Sequence, residues 1–128
     1  PPSLAFDAAL ADAFFIRLNA IVSGSIVFEP RHPSWFGPQA EALLIAHRVA
    51  RVAADPAPVP DAAKPGGRRD LSYFRLHGSP RIYWSSYSAA ALAGWRRNAE
   101  TAGGESWIIL DNTASGAAAR NALDLAGI

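Results

Sequence analysis

Residues 28–36 read "FEPRHPSWF" and continue directly from the apolar run Ile26-Val27-Phe28. Glu29, Arg31, His32 and Trp35 crowd into these nine positions, with Pro30 and Pro33 among them. An apolar run that ends in a polar cluster and a proline break is the layout of a buried strand delivering side chains to a site. The layout recurs along the chain. Residues 50–54 end at Asp55-Pro56, residues 71–76 carry Arg75 and end at His77-Gly78, and "SWIIL" ends at Asp111-Asn112.

Helical periods fill the spaces between these strands. Leu10, Phe14 and Leu18 predict a first helix over residues 7–19, with Phe15 and Ile16 widening its stripe. A second helix is predicted over 39–46 with Ala42, Leu43 and Ala46 on one side. Ser88 can cap a third, running to about residue 101 with Leu92, Trp95 and Ala99 inward, and Ser115-Gly116 opens a fourth that stops at Gly127. Residues 55–70 are dominated by proline and glycine, so a long loop without regular structure is predicted there.

Strands alternating with helices argue for an α/β fold with parallel strands and right-handed crossovers, either doubly wound or part of a barrel. In both, ligands bind at the carboxyl ends of the strands, where the polar residues of this chain gather.

Bulk properties bound the function. At 128 residues, half of them hydrophobic, the chain has the length of one domain and enough apolar side chains for a core. A net charge of +1 selects no partner by field alone. Without cysteine there is no disulfide framework, thiolate nucleophile or Cys-ligated metal. No apolar run approaches the ~20 residues of a membrane helix, so a soluble, cytoplasmic protein without a membrane partner is expected. The chain begins Pro1-Pro2-Ser3 and contains no methionine, from which a fragment of a longer protein is expected.

The stretches "FEPRHPSWF", "VAADP", "YFRLHG", "YWSSYS" and "LDNTASGAAARNALDL", in this order, resemble the C-terminal half of the YecE-like family, domain of unknown function 72. The resemblance covers nearly the whole chain. It implies a TIM-like (β/α) barrel, of which residues 1–128 would form the C-terminal (βα)4 half, consistent with the ~250 residues of a typical barrel. It also implies that Glu29, Arg31, Trp35, Asp55, Arg75, His77, Gly78, Tyr83, Tyr87 and Asn112 occupy the family's motif positions. The family brings no established activity with it.

Residues two apart on a strand share a side, which pairs Glu29 with Arg31 and Arg75 with His77. Facing a barrel axis, they would form an acid–base site with Asp55 and with Asp111 or Asn112. The expected roles are Glu29 or Asp55 as general acid or base, His77 as proton shuttle, Arg31 and Arg75 as anion clamps, and Asn112 as orienting group. The bland alternative is an ion-pair network that only plugs the barrel. Gly78 beside Arg75, with Ser115 and Gly116 at a helix start, matches the two loops where barrels often hold phosphate, although either glycine can equally be a turn residue. Trp35, Tyr83 and Tyr87 are candidates for stacking on a sugar or base, while Trp95 and Trp107 read as packing residues. A divalent metal on Glu29, His32, Asp55 and His77 is the competing idea; no HExxH signature supports it and the two arginines would repel a cation, so no cofactor is predicted. His47 reads as a solvated helix end. Nucleic acid is disfavoured, because charge elsewhere cancels the basic run around residues 68–84. A small anionic ligand is the expected partner, and the open sheet face should be covered by a missing N-terminal half or a second copy.

Overall fold

The computed structural model describes residues 1–128, and its first helix starts where a side chain can satisfy a free amide: Asp7 Oδ1 accepts from Leu10 N at 3.0 Å. Helix α1 spans Ala8–Ile21, strand β1 Ile26–Phe28, helix α2 Pro38–Ala46, and strands β2 and β3 Val49–Arg51 and Ala53–Asp55. Strand β4 is Gly66–Gly67, β5 Leu71–Leu76, α3 Ala89–Ala102, β6 Glu105–Leu110 and α4 Ala117–Ala126. Ser88 caps α3 by accepting from Ala91 N at 3.3 Å, and Gly127 ends α4 in the left-handed region.

Strands β2 and β3 are separated by Val52 alone, and Val52 N donates to Phe28 O at 2.9 Å. The strands form two three-stranded sheets, β1-β2-β4 and β3-β5-β6, that meet at this residue, with β1–β2, β3–β5 and β5–β6 parallel. The α/β class and the parallel sheet agree with the expectation from the sequence.

The proline-rich stretch is more ordered than its composition suggests. A one-turn 3-10 segment occupies Pro60–Ala63, and β4 pairs antiparallel with β2. A half-buried carboxylate and a buried guanidinium anchor it: Glu41 Oε1 accepts from Gly67 N at 2.9 Å, and Arg51 Nη1 donates to Asp61 O at 3.1 Å. Composition identifies where prolines interrupt regular structure but not the distant side chains that order it.

Alternation decides what each sheet face meets. Ile26, Phe28 and Val49 pack with Phe15 of α1 and Leu44 of α2 in one core cluster, and Leu76, Ile108 and Leu110 pack with Leu92 of α3 and Leu125 of α4 in another. All four helices thus cover one face. The opposite face carries Val27, Ala54, Tyr73, Arg75, Trp107 and Ile109, of which Val27 and Trp107 are 37% and 51% exposed.

The helical stripes are rotated from the sequence expectation. In α1 the buried residues are Ala11 and Phe15, leaving Leu10 and Phe14 64% and 54% exposed; in α2 they are Ala40 and Leu44 instead of Ala42 and Ala46. His47 is not a solvated end: its Nε2 donates to Asp12 Oδ1 at 2.7 Å and its ring lies against Phe15. Trp95 packs on Phe74, whereas Trp107 stands exposed on the uncovered face. No helix is long and apolar enough to cross a membrane.

Candidate functional site

Ala54 on β3 is the register partner of Arg75 on β5, and Arg75 is in turn the partner of Ile109 on β6. Because the side chain at 54 is a single methyl, the guanidinium reaches across that strand to the residue after β1, and Arg75 Nη1 donates to Glu29 Oε2 at 2.5 Å. Its other arm, Nη2, donates to Asp111 Oδ2 just beyond β6. His77 closes the ring, with Nε2 at 3.4 Å from Glu29 Oε1 and Nδ1 at 3.2 Å from Asp111 Oδ2, the latter without the alignment of a hydrogen bond. Arg31 Nη2 adds a contact to Glu29 Oε1 at 3.1 Å while its side chain stays 42% exposed.

The electrostatics follow from this ring. The hydrogen bond from His77 and the charge of Arg75 outweigh burial and lower the Glu29 carboxyl from 4.5 to about 2. For Arg75, burial favours deprotonation but the two carboxylates overcome it and raise its pKa. Both ions are fixed in their charged states over the ordinary pH range.

In front of the ring lies a cleft of about 200 Å³. Glu29, Arg31 and His77 form its polar part; Ala54, Pro56, Ala57, Pro58, Ile82 and Tyr83 form its walls. Tyr83 stands edge-on to His77 with centroids 5.5 Å apart. Its backbone adopts φ 64°, a left-handed conformation that a non-glycine residue holds only when its surroundings dictate it. Here Tyr83 N donates to His77 O at 2.5 Å, and Tyr83 O accepts from Ala114 N at 2.9 Å.

A second polar network sits behind the sheet, on the helix-covered face. Tyr87 donates its phenol to Asp55 Oδ2 at 2.7 Å and accepts from Gly78 N at 2.8 Å. Burial, followed by the Asp55 carboxylate, raises the Tyr87 phenol far above its usual value. Asn112, fully buried, donates to Ser85 O and to Asn121 Oδ1.

The structure therefore brings Glu29, Arg31, Arg75, His77 and Tyr83 together and places the other sequence candidates elsewhere. Trp35 is 5% exposed, packs on Phe6 and Phe28, and donates Nε1 to Leu4 O, which makes it a core residue. Asp55 and Asn112 have the parity of the helix-covered face, and Tyr87 packs there with Leu76 and Leu92. The amide of Gly78 is spent on Tyr87, the hydroxyl of Ser115 on Trp84 O, and the amide of Gly116 on Thr113 O, so these expected phosphate donors serve the loops themselves. His32 caps the turn after β1 through Nδ1, and no three His, Asp or Glu side chains converge as metal ligands would. Arg75 spends both arms on carboxylates, leaving Arg31 as the guanidinium that lines the cleft. Asp111, named in the sequence only as an alternative to Asn112, belongs to the ring. Its signal was parity: it shares a side with Ile109, the partner of Arg75.

These features define an α/β domain whose parallel strands carry an ion ring at their carboxyl ends. The chain belongs to the family described as "Protein of unknown function DUF72", whose model matches residues 1–128. Two solved structures share its fold. A DUF72 family protein from Enterococcus faecalis V583 is 18% identical with a TM-score of 0.79, over 99% of this chain and 55% of that one. A DUF72 family protein from Thermotoga maritima MSB8 is 22% identical with a TM-score of 0.77, over 99% of this chain and 54% of that one. The chain thus spans about half the length of both. None of the curated proteins compared matches it.

Proposed function

We propose that residues 1–128 form the C-terminal (βα)4 half of a TIM-like barrel whose mouth takes a small anionic or sugar-like ligand and acts on it by acid–base chemistry. The observation that carries the chemistry is the ring of Glu29, Arg75, Asp111 and His77 at the ends of three different strands, opening on a cleft. The half-barrel is supported by helices covering one sheet face only, since a parallel sheet is normally covered on both.

Within this reading Glu29, held ionised, is the proton acceptor or the group that orients the acceptor. His77 touches both carboxylates and shuttles the proton, Arg31 meets the negative or polar group of the ligand, and Arg75 holds the two carboxylates in place. Tyr83 offers a ring face to the ligand body. The remainder of the barrel covers the open sheet face.

The fully paired Arg75 favours a second reading, a pocket that binds without turnover. One experiment separates them. The natural full-length protein is screened by thermal shift against inorganic phosphate, sugar phosphates, small carboxylates and free sugars, and hits are followed for product. Product formation abolished by Glu29→Gln and His77→Ala, with the fold retained, supports the enzyme; saturable binding without product, insensitive to Glu29→Gln, supports the binding protein.

A further inference from the structure

The ring residue His77 is held from behind the sheet, and the chain of contacts leads to a helix that contributes nothing to the cleft. Asn121 of α4 is 1% exposed. Burying a carboxamide costs free energy unless its polar atoms are paired. Asn121 pairs its amide with both backbone groups of one residue, as a neighbouring strand would: Oδ1 accepts from Tyr87 N at 3.0 Å and Nδ2 donates to Tyr87 O at 3.2 Å. The same Oδ1 accepts from Asn112 Nδ2 at 2.8 Å, and Nδ2 also donates to Ser86 Oγ at 3.1 Å. Tyr87 is thereby placed with its phenol between Gly78 N and Asp55 Oδ2. Asp55 O in turn accepts from His77 N at 2.8 Å. The backbone on both sides of the imidazole therefore belongs to, or bonds to, residues that the Tyr87 phenol contacts.

We propose that Asn121 is a positioning residue for His77, acting through the backbone and phenol of Tyr87. The proposal rests on the reading of His77 as a member of the functional site, and deepens it. The phenol stays protonated, because burial and Asp55 both disfavour its ionisation, so the bridge to Asp55 persists across the ordinary pH range.

The three histidines of the chain, His32, His47 and His77, provide an internal comparison. The natural full-length protein is labelled with 15N-histidine, and the imidazole resonances are recorded by long-range 1H–15N correlation for the parent, Asn121→Ala, Tyr87→Phe and Ile26→Val. The last variant trims the other core cluster. Displacement or broadening of the His77 imidazole signals in Asn121→Ala and Tyr87→Phe, with the His32 and His47 signals unmoved and the Ile26→Val spectrum like the parent, is the expected result. An unmoved His77 signal in Tyr87→Phe overturns the proposal, as does joint displacement of all three histidines, which marks general loosening. Should Asn121→Ala fail to fold, Tyr87→Phe decides, because it removes one oxygen and keeps the ring. The readout needs no ligand, so a His77 that is correctly positioned but irrelevant to binding or turnover would sink the functional reading alone.

Discussion

Arg75 meets Glu29 across an intervening strand, Nη1 to Oε2 at 2.5 Å, and Ala54 is the residue over which it passes. The side chain at 54 is thus part of the ion ring without being polar. Ala54→Leu places a branched side chain, at a position only 4% exposed, between guanidinium and carboxylate. Overpacking typically costs about 1–3 kcal/mol, and the separated ions add to it. Urea denaturation should show a loss of roughly 2–4 kcal/mol by these ranges; a loss near zero would mean that Arg75 does not need that passage.

The ring also predicts how stability responds to acid. Glu29 has a folded-state pKa of about 2, below its ordinary 4.5. A depressed carboxyl stabilises the fold fully above the unfolded value, and the contribution disappears as pH falls from about 4.5 through about 2. Linkage makes it on the order of 3 kcal/mol. Glu29→Gln should flatten the stability profile within that window. Asp70, lowered from 3.8 to about 2 by Arg68, loses its pairing within the lower part of that range. Adding Asp70→Asn to each background separates the two, and an unchanged slope in Glu29→Gln/Asp70→Asn relative to Asp70→Asn would contradict the ring.

Gly78 follows His77 with φ 95°, and a Cβ there would lie 2.9 Å from Ser85 O and 3.2 Å from Asn112 Cβ. Ser85 O is itself held by Asn112 Nδ2, so neither neighbour can withdraw cheaply. Gly78→Ala should therefore cost more than about 1 kcal/mol, whereas Gly24→Ala, with nothing within 4 Å of the added methyl, should be neutral or slightly stabilising. Equal effects of the two substitutions on the denaturation midpoint would show that the loop after β5 is looser than described.

What the sequence made legible follows from the range of the interactions involved. The strand ends were readable because apolar runs stop where Pro30, Pro56 and Gly78 interrupt them, and Ser88 announced its helix by local capping. Alternation paired Glu29 with Arg31 and Arg75 with His77, and the expectation of parallel strands sharing one mouth brought the two pairs together. Trp35 could not be placed, since its burial depends on Phe6 and Leu4 about 30 residues away. Asp55 and Asn112 were assigned to the mouth because each ends a strand, yet their parity turns them to the helices; only the register of β3 and β6 against β5 reveals this. Asn121 sits in a helical pattern where an asparagine reads as a surface residue, and its partners at 86, 87 and 112 are brought to it by the fold.

The rotated stripe of α1 carries the last prediction. Leu10 and Phe14 face away from the core that Ala11 and Phe15 enter, and with Leu4, Phe28 and Trp35 they border an apolar groove of about 250 Å³. Burying a side chain of this kind is worth roughly 1.5–3 kcal/mol, so an uncovered pair drives association with whatever apolar surface is at hand. Under the half-barrel reading that surface is the next helix of the barrel. Residues 1–128 produced alone should therefore elute as dimers or larger species in size-exclusion chromatography with light scattering, and Leu10→Glu/Phe14→Glu should shift them toward monomer. The same double substitution in the natural full-length protein should instead lower its stability, because there it places two charges in a closed helix–helix contact. A monodisperse monomer of residues 1–128, with the double substitution silent in both contexts, would leave the uncovered face without a partner to explain it and would count against the half-barrel.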